Sequence, residues 1–489
     1  MISENRLKKN DEIVIKIERL GSNGEGIGVY SGAVIFVPYA LVGEECLVHI
    51  VSDKKTFYFA KLIKVLEPSK DRAIPPCPYF MKCGGCDIQH TTYSNQLKLK
   101  QEIVASDLKK YAEIENETNK TVPSEREIRY RNKFAFPVEV KGDGEVLIGM
   151  YRKHSHDILS INDCLLQSEK TAKIIKIFKN FMQNHVIFSK NCKNLNVIKH
   201  IVVRENQDKF ILTIVVNDEK FNNFEPLINL LKNEFDNFGL YKNINKLNNN
   251  VILGDKDIHI YGLKELEVEE FGIKYNVNNR SFMQVNDEVK SKIYTKILEL
   301  LSGELVVIDA YSGAGLLSSI IAKSGIRCYG IEIVKEATKN AEELKQLNNL
   351  NGLTNINGDC SVELPKLTGK IKEDFSLVID PPRKGVDKKV IDTIVECKPK
   401  KVIYLSCNPA TLARDLKPFL DYYKISLIQP YDMFPQTANV ETLVCLERKA
   451  NKKSKSTSSV KKNLNQKIKQ KYFDFYDDIK DGTHKVVDW

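Results

Sequence analysis

Between Asp11 and Glu67 apolar and polar positions alternate in short runs, Ile13 to Ile17, Ala33 to Val37, Glu45 to Val51 and Phe57 to Val65, with a glycine-rich turn, Gly21 to Gly28, after the first. A period of two in runs this short, spaced by turns, predicts a small β-barrel over residues 1–67. Pro68, Pro75, Pro76 and Pro78 then break the pattern. From 68 to 270 the text mixes both periods: Tyr93 to Lys110 reads as a helix, Ile198 to Val203 and Phe210 to Val216 as strands, together a mixed α+β central domain. From 271 to 447 the order changes to strand (Leu305 to Asp309), glycine turn (Ser312 to Gly315), helix (Leu316 to Ser324) and strand (Cys328 to Glu332). Strands Leu377 to Asp380 and Val402 to Ser406 each follow a helical stretch. That alternation predicts an open, mostly parallel α/β sheet. Residues 448–489 read as a lysine-rich flexible tail.

Charge and cysteine usage narrow the class. Lysine and arginine number 74 against 64 acidic residues, a formal charge of +10, and with a pI of about 8.8 this favours an anionic partner such as nucleic acid. No apolar stretch of signal-peptide or membrane-span length is present, so the reading is a cytoplasmic protein, and nothing in the chain demands more than a monomer. Eleven cysteines are unevenly spread, with Cys77, Cys83 and Cys86 crowded into one Pro- and Gly-rich loop. In a reducing compartment such a cluster implies metal or redox chemistry before disulfides, and its thiols suit either an iron-sulfur centre or zinc.

The candidate chemistry gathers at strand ends of the α/β half. Gly313 and Gly315 form a G-x-G turn after Asp309, and Glu332 ends the next strand, an arrangement that offers a ribose two acceptor oxygens. Ser318 stands where pyrophosphate-binding turns carry a third glycine, so S-adenosylmethionine suits the pocket better than NAD. Asp380-Pro381-Pro382-Arg383 follows another strand; Asp380 is an acceptor in the crevice or a cap in a rigid loop. Cys407 precedes Asn408-Pro409 at a helix start, where the local positive potential is expected to lower its pKa; alone it reads equally as a small buried hydrophobe. Glu441 opens a late strand, as a general base or as a solvated carboxylate. Arg126, Arg129, Arg131 and Lys133, interleaved with Tyr130 and Phe134, and then Arg152, Lys153, His154 and His156, supply phosphate contacts and stacking faces for single-stranded RNA.

Asp380-Pro-Pro-Arg, Ser406-Cys407-Asn408-Pro409 and Val440-Glu441-Thr442 together resemble the RNA (uracil-5-)-methyltransferase family, in its iron-sulfur-containing 23S rRNA branch. The likeness covers nearly the whole chain to about residue 447, with the barrel similar to a TRAM domain of the OB-like type. The resemblance implies a Rossmann-like S-adenosylmethionine-dependent methyltransferase domain, and methylation of C5 of a flipped-out uridine in 23S rRNA, or by the same chemistry in tRNA. It also implies Cys407 as the nucleophile toward C6, Glu441 as the acceptor of the C5 proton, Gln284, Tyr311, Glu332 and Asp380 as cofactor contacts, and Cys164 as the fourth ligand of a [4Fe-4S] cluster beside Cys77, Cys83 and Cys86. Leu316 replaces a polar cofactor contact of some relatives. An inactive RNA-binding protein on the same fold and an NAD-dependent enzyme are the rival readings.

Overall fold

The computed structural model describes residues 7–54, 56–187, 196–281 and 283–450; most of the lysine-rich tail therefore lies outside the described residues. The alternating N-terminal runs form β1 (Glu12–Lys16), β2 (Arg19–Leu20), β3 (Gly26–Tyr30), β4 (Ala33–Val37), β5 (Glu45–Asp53) and β6 (Phe57–Glu67), hydrogen-bonded in the order β1-β5-β6-β4-β3-β2. Their inward faces, among them Ile13, Ile15, Ile35, Val37, Val48 and Ile50, close one small core.

Helix α1 (Tyr93–Ala112) follows the cysteine loop, and then come β7 (Lys133–Val140), β8 (Val146–Tyr151), β9 (Ile158–Ser160), α2 (Lys170–Phe181), β10 (Ile198–Asn206), β11 (Lys209–Val216), α3 (Glu225–Lys232), β12 (Phe238–Ile244) and β13 (Lys256–Gly262). These strands make a second sheet, β13-β12-β11-β10-β7-β8-β9, in which only β11 and β12 pair in parallel. Helix α1 does not belong to that core. Its Val104, Leu108 and Ala112 are buried with Val306, Leu377 and Val402 of the C-terminal sheet, so it covers a face of that sheet.

A hairpin of β14 (Leu266–Glu270) and β15 (Ile273–Val277) leads into α4 (Asp287–Leu300), which starts where the Asn286 side chain accepts from the Val289 amide. The remaining elements are β16 (Val306–Ala310), α5 (Leu316–Lys323), β17 (Arg327–Glu332), α6 (Lys335–Leu347), β18 (Leu353–Asn357), α7 (Cys360–Thr368), β19 (Ser376–Ile379), α8 (Lys388–Cys397), β20 (Lys401–Ser406), α9 (Pro409–Leu416), β21 (Tyr423–Tyr431) and β22 (Glu441–Arg448). The sheet runs β18-β17-β16-β19-β20-β22-β21. Its first five strands are parallel, and β22 runs against both β20 and β21. Every residue of β16 and β19 is buried, as expected of parallel strands covered on both faces. Ligands bind such sheets at the carboxyl ends of the strands where the order reverses, here between β16 and β19.

Arg448 belongs to β22 and not to the tail. Its guanidinium spans Asp374 at 3.0 and 2.8 Å. Among the described residues no helix is long and apolar enough to cross a membrane.

Candidate active site

One cavity of about 1120 Å³ opens along the carboxyl edge of the C-terminal sheet. Gln284, Tyr311, Gly313, Asp380, Cys407 and Glu441 line one part of it, and Cys77, Cys83, Cys86 and Cys164 line another. The sheet register explains why Cys407 and Glu441 meet. Antiparallel β20 and β22 pair Ser406 with Thr442, so the next residue outward on each strand brings Cys407 and Glu441 face to face.

The electrostatics of that meeting are the reverse of the expectation for Cys407. Burial, and after it the Glu441 carboxylate, push the thiol up to about 12, with Asp380 adding to the rise and Arg383 and a backbone hydrogen bond pulling it down. The Asn408 side chain caps α9 by accepting from the amides of Ala410 and Thr411 at 3.1 and 3.4 Å, so the first turn of the helix is already satisfied by its own cap. Glu441 is 3% exposed; burial raises its carboxyl well above the ordinary range, and Asp380 adds to the rise against Arg383. Asp380 itself is pushed up to about 7 by burial and by Asp309. Asp309 lies one residue inside the end of β16, is 1% exposed and reaches about 7, although the Ser318 hydroxyl donates to it at 2.5 Å. Ser318 thus anchors the turn from beneath.

The two turn glycines do different jobs. At Gly313, φ is +54° and a Cβ would meet nothing within 4 Å, so its space belongs to the cavity. At Gly315, φ is +79° and a Cβ would sit 2.6 Å from Cβ of Ala341 on α6, so this glycine permits helix packing and does not line the cavity. Glu332 ends β17 against the same turn and is half-buried. Its two oxygens accept the amides of Gly313 at 2.9 Å and Val334 at 2.8 Å, which fixes the turn. Tyr311 holds φ at +67°, a conformation a bulky residue seldom adopts, and its side chain faces the cavity. Gln284 is held through its carbonyl by Asn132 at 2.9 Å.

At the cysteine end, Cys83 bridges to Arg152, and the Gly85 amide donates to the Cys83 sulfur at 3.3 Å. Burial raises the thiols of Cys83, to about 11, and of Cys86 and Cys164, and the four sulfurs lie within electrostatic reach of one another. Among the described residues no three such side chains are close enough to grip a single ion.

The aromatic stacking expected beside the basic cluster is corrected by burial. Tyr130 and Phe134 are each 3% exposed, Tyr130 donates to the Pro435 carbonyl at 3.1 Å, and Phe134 stacks on Phe136 in the core. Arg129 is engaged as well: it grips Asp163 at 2.9 and 2.6 Å and the carbonyls of Cys164 and Gln167, stapling the Cys164 loop. Lys153 pairs with Asp87 at 3.0 Å. Arg131 on the cavity wall and the exposed Arg152, His154 and His156 keep the surface character expected. Arg383 and the Asp432–Val440 loop escaped the sequence reading as site elements, although Arg383 stood in a quoted motif.

Comparison with known proteins gives the family. The model of the tRNA (Uracil-5-)-methyltransferase family matches residues 92–449, and that of the TRAM domain residues 6–63. An uncharacterized RNA methyltransferase of Clostridium acetobutylicum is 35% identical over 452 residues, covering 90% of this chain and 98% of that protein. One of Staphylococcus epidermidis is 35% identical over 452 residues, covering 91% and 99%. The crystal structure of the Pyrococcus abyssi tRNA (uracil-54, C5)-methyltransferase in complex with S-adenosyl-L-homocysteine is similar with a TM-score of 0.71 and 26% identity, over 88% of this chain and 99% of that one. With a family model spanning most of its length and relatives this similar end to end, the chain belongs to the RNA (uracil-5-)-methyltransferase family.

Proposed function

We propose that the protein methylates C5 of a specific uridine in 23S rRNA, with Cys407 as nucleophile, Glu441 as proton acceptor and S-adenosylmethionine as methyl donor. The observation that carries the reading is the opposition of Cys407 and Glu441 across β20 and β22 at a cavity edge shared with Asp380. S-adenosylmethionine supplies, when bound, a methyl group on a positively charged sulfur. The pocket's chemistry suits a cation without phosphate: Asp309 and Glu441 are buried carboxyls and Asp380 a half-buried one, all held above their ordinary range, and the wall beyond Gly313 adds Glu343, Asn340 and apolar Leu316 and Leu344. Gly313 leaves room for the ligand, while Tyr311 and Gln284 border it. Glu332 gives one backbone hydrogen bond per oxygen and keeps a lone pair on each for ribose hydroxyls. Gly315 supports the site by packing.

Uracil C5 is too weak a nucleophile to take a methyl group unaided. The Cys407 thiolate, its proton given up to solvent, adds to C6, and the C5–C6 π pair moves toward C5 and O4; that makes C5 nucleophilic toward a methyl sulfonium, whose broken C–S bond would leave its pair on the departing sulfur. Glu441 removes the C5 proton; that C–H pair re-forms the C5–C6 double bond, and the C6–S pair returns to Cys407. The raised carboxyl of Glu441 makes its anion a stronger base, and Arg383 is the cation that favours both anions. The uridine leaves its stack to reach Cys407.

The same reading assigns Cys77, Cys83, Cys86 and Cys164 to a [4Fe-4S] cluster, with the Gly85 amide stabilising one sulfur. A brown protein with about four irons, bleached by Cys164→Ala, is expected; a colourless, anaerobically prepared protein with stoichiometric zinc overturns it. Methylation of tRNA is the second reading, favoured by the 0.71 similarity to a tRNA enzyme over 88% of this chain. Transfer of labelled methyl to unmodified 23S rRNA and to unmodified tRNA, with the product nucleoside mapped, tests both. Label as 5-methyluridine in rRNA is expected. Label in tRNA alone overturns the substrate, and label in neither overturns the enzyme in favour of a binding protein.

A further inference from the structure

Glu441 is buried, yet among the described residues its carboxylate makes no hydrogen bond, so what sits around it fixes its position. The segment that leads into it, Asp432 to Val440, contributes Phe434, Thr437 and Asn439 to the same cavity wall. This loop is gripped from α1 and from the cysteine loop, and also by the segment before β7, where Tyr130 donates to the Pro435 carbonyl and the Gln436 side chain donates to the Glu127 carbonyl at 3.4 Å. From α1, the Gln96 amide nitrogen donates to the Gln436 side chain at 2.9 Å while its oxygen accepts the Gln436 amide at 3.0 Å. One turn further along α1, Lys100 pairs with Asp432 at 2.5 Å and donates to the Phe434 carbonyl at 2.9 Å, with the side chains of Lys100 and Asp432 wholly buried. From the cysteine loop, the amides of Asp87 and Ile88 both donate to the Gln436 carbonyl, at 3.1 and 3.2 Å. Gln436 meanwhile holds φ at +72°, a conformation that a non-glycine residue keeps only when its surroundings impose it.

We propose that Gln96 and Gln436 are positioning residues for proton removal by Glu441, acting through the Asp432–Val440 loop, with the Asp87–Ile88 backbone as the second jaw of the clamp. The inference rests on the roles proposed above for Cys407 and Glu441. It concerns one step: the C5–H bond breaks, the proton passes to the Glu441 carboxylate, its electron pair re-forms the C5–C6 double bond, and the C6–S pair leaves with Cys407. Addition of Cys407 to C6 precedes this step and does not use the clamp, because Cys407 is set by β20 and the Asn408 cap. A displacement of about 1 Å at a catalytic group can cost on the order of 100-fold. Loosening the loop therefore slows release of the methylated adduct more than its formation.

The test uses the full-length enzyme with unmodified substrate RNA and labelled S-adenosylmethionine. Gln96→Met keeps the side-chain volume and removes both hydrogen bonds to Gln436, together with the one to the Thr91 carbonyl within its own helix start; Gln436→Ala approaches the same contact from the loop and leaves Thr91 untouched. Expected for both is at least a tenfold rise in the denaturation-stable RNA–protein adduct that carries labelled methyl, while adduct formation with 5-fluorouridine RNA, which never reaches proton removal, changes less than about threefold. Parallel losses of both quantities, as from a merely structural defect, or a partition equal to that of wild type, overturn the clamp. A wild-type enzyme that forms no adduct with 5-fluorouridine RNA overturns the proposed function and the clamp with it, which separates the two failures.

Discussion

Asp380→Asn should stabilise the protein at alkaline pH while abolishing methyl transfer. The Asp380 carboxyl goes from 3.8 to about 7, first by burial and then by the nearness of Asp309, and among the described residues its side chain accepts no hydrogen bond. Below 3.8 the carboxyl is protonated folded or unfolded, and it costs the fold nothing. Between 3.8 and about 7 the unfolded chain releases the proton while the folded one keeps it, so stability falls as pH rises and then stays low above 7. At about 1.4 kcal/mol per tenfold, the full loss is roughly 4 kcal/mol. The substituted amide is itself half-buried, which returns about 1–3 kcal/mol of that gain. A net of about 2 kcal/mol remains at pH 8, or roughly 4–8 °C in Tm for a domain of this size. At pH 5 only the first part of the loss has accrued, and the difference closes to near zero. Thermal melts of both proteins at pH 5 and pH 8 measure it. A Tm for Asp380→Asn that is lower at pH 8, or an offset equal at both pH values, refutes the reasoning.

Adduct formation with 5-fluorouridine RNA should accelerate about tenfold per pH unit from 7 to 9.5, since Cys407 is held at about 12 and the thiolate is the attacking species; a plateau by pH 8 removes that account. The ratio of the dissociation constants of S-adenosylhomocysteine and S-adenosylmethionine should rise between pH 5 and pH 8 in titration calorimetry. Asp309 and Asp380 ionise near 7, and only the methylated, positively charged ligand gains from their charge; a constant ratio counts against the carboxylate cage. Gly315→Val should lower stability by roughly 3 kcal/mol through its contact with Ala341 and its positive φ. Gly313→Ala, with open space around it, should cost roughly 1 kcal/mol in a melt and show its effect in ligand binding instead.

What the sequence made legible was whatever a short stretch of chain decides by itself. The strand Val306–Ala310, its glycine turn and α5 follow from apolar runs, a Gly pair and helical period, and the strand-end motifs Asp380-Pro-Pro-Arg and Cys407-Asn-Pro marked one sheet edge. Features that depend on distant pairing were not legible. The helix start after Cys407 suggested a lowered thiol pKa, but the result turned on burial at the sheet edge and on Glu441 arriving from a strand 34 positions later. The interleaved Tyr130 and Phe134 read as stacking faces because alternation alone does not say which side of β7 and its approach is covered. Helix α1 read as part of the central domain from its place in the order, yet its apolar stripe matches the face of the C-terminal sheet.

The same long-range contacts explain why this sheet works as a site and not merely as a fold. Parallel β16 and β19 bring Asp309 and, just past the end of β19, Asp380 within electrostatic reach, and the antiparallel β22 is what adds Glu441, since only a strand running against β20 starts where β20 ends. That arrangement concentrates carboxyls in a buried place at a cost in stability, and the surrounding structure offsets it by rigid support: Ser318 under Asp309, Glu332 on the Gly313 amide, Lys100 and Gln96 on the loop before Glu441. The cysteine loop enters through that support. Because Asp87 directly follows Cys86 and its amide donates to the Gln436 carbonyl, the cysteine loop braces the loop that leads into Glu441, and residues of both line one cavity that runs from Cys164 to Cys407.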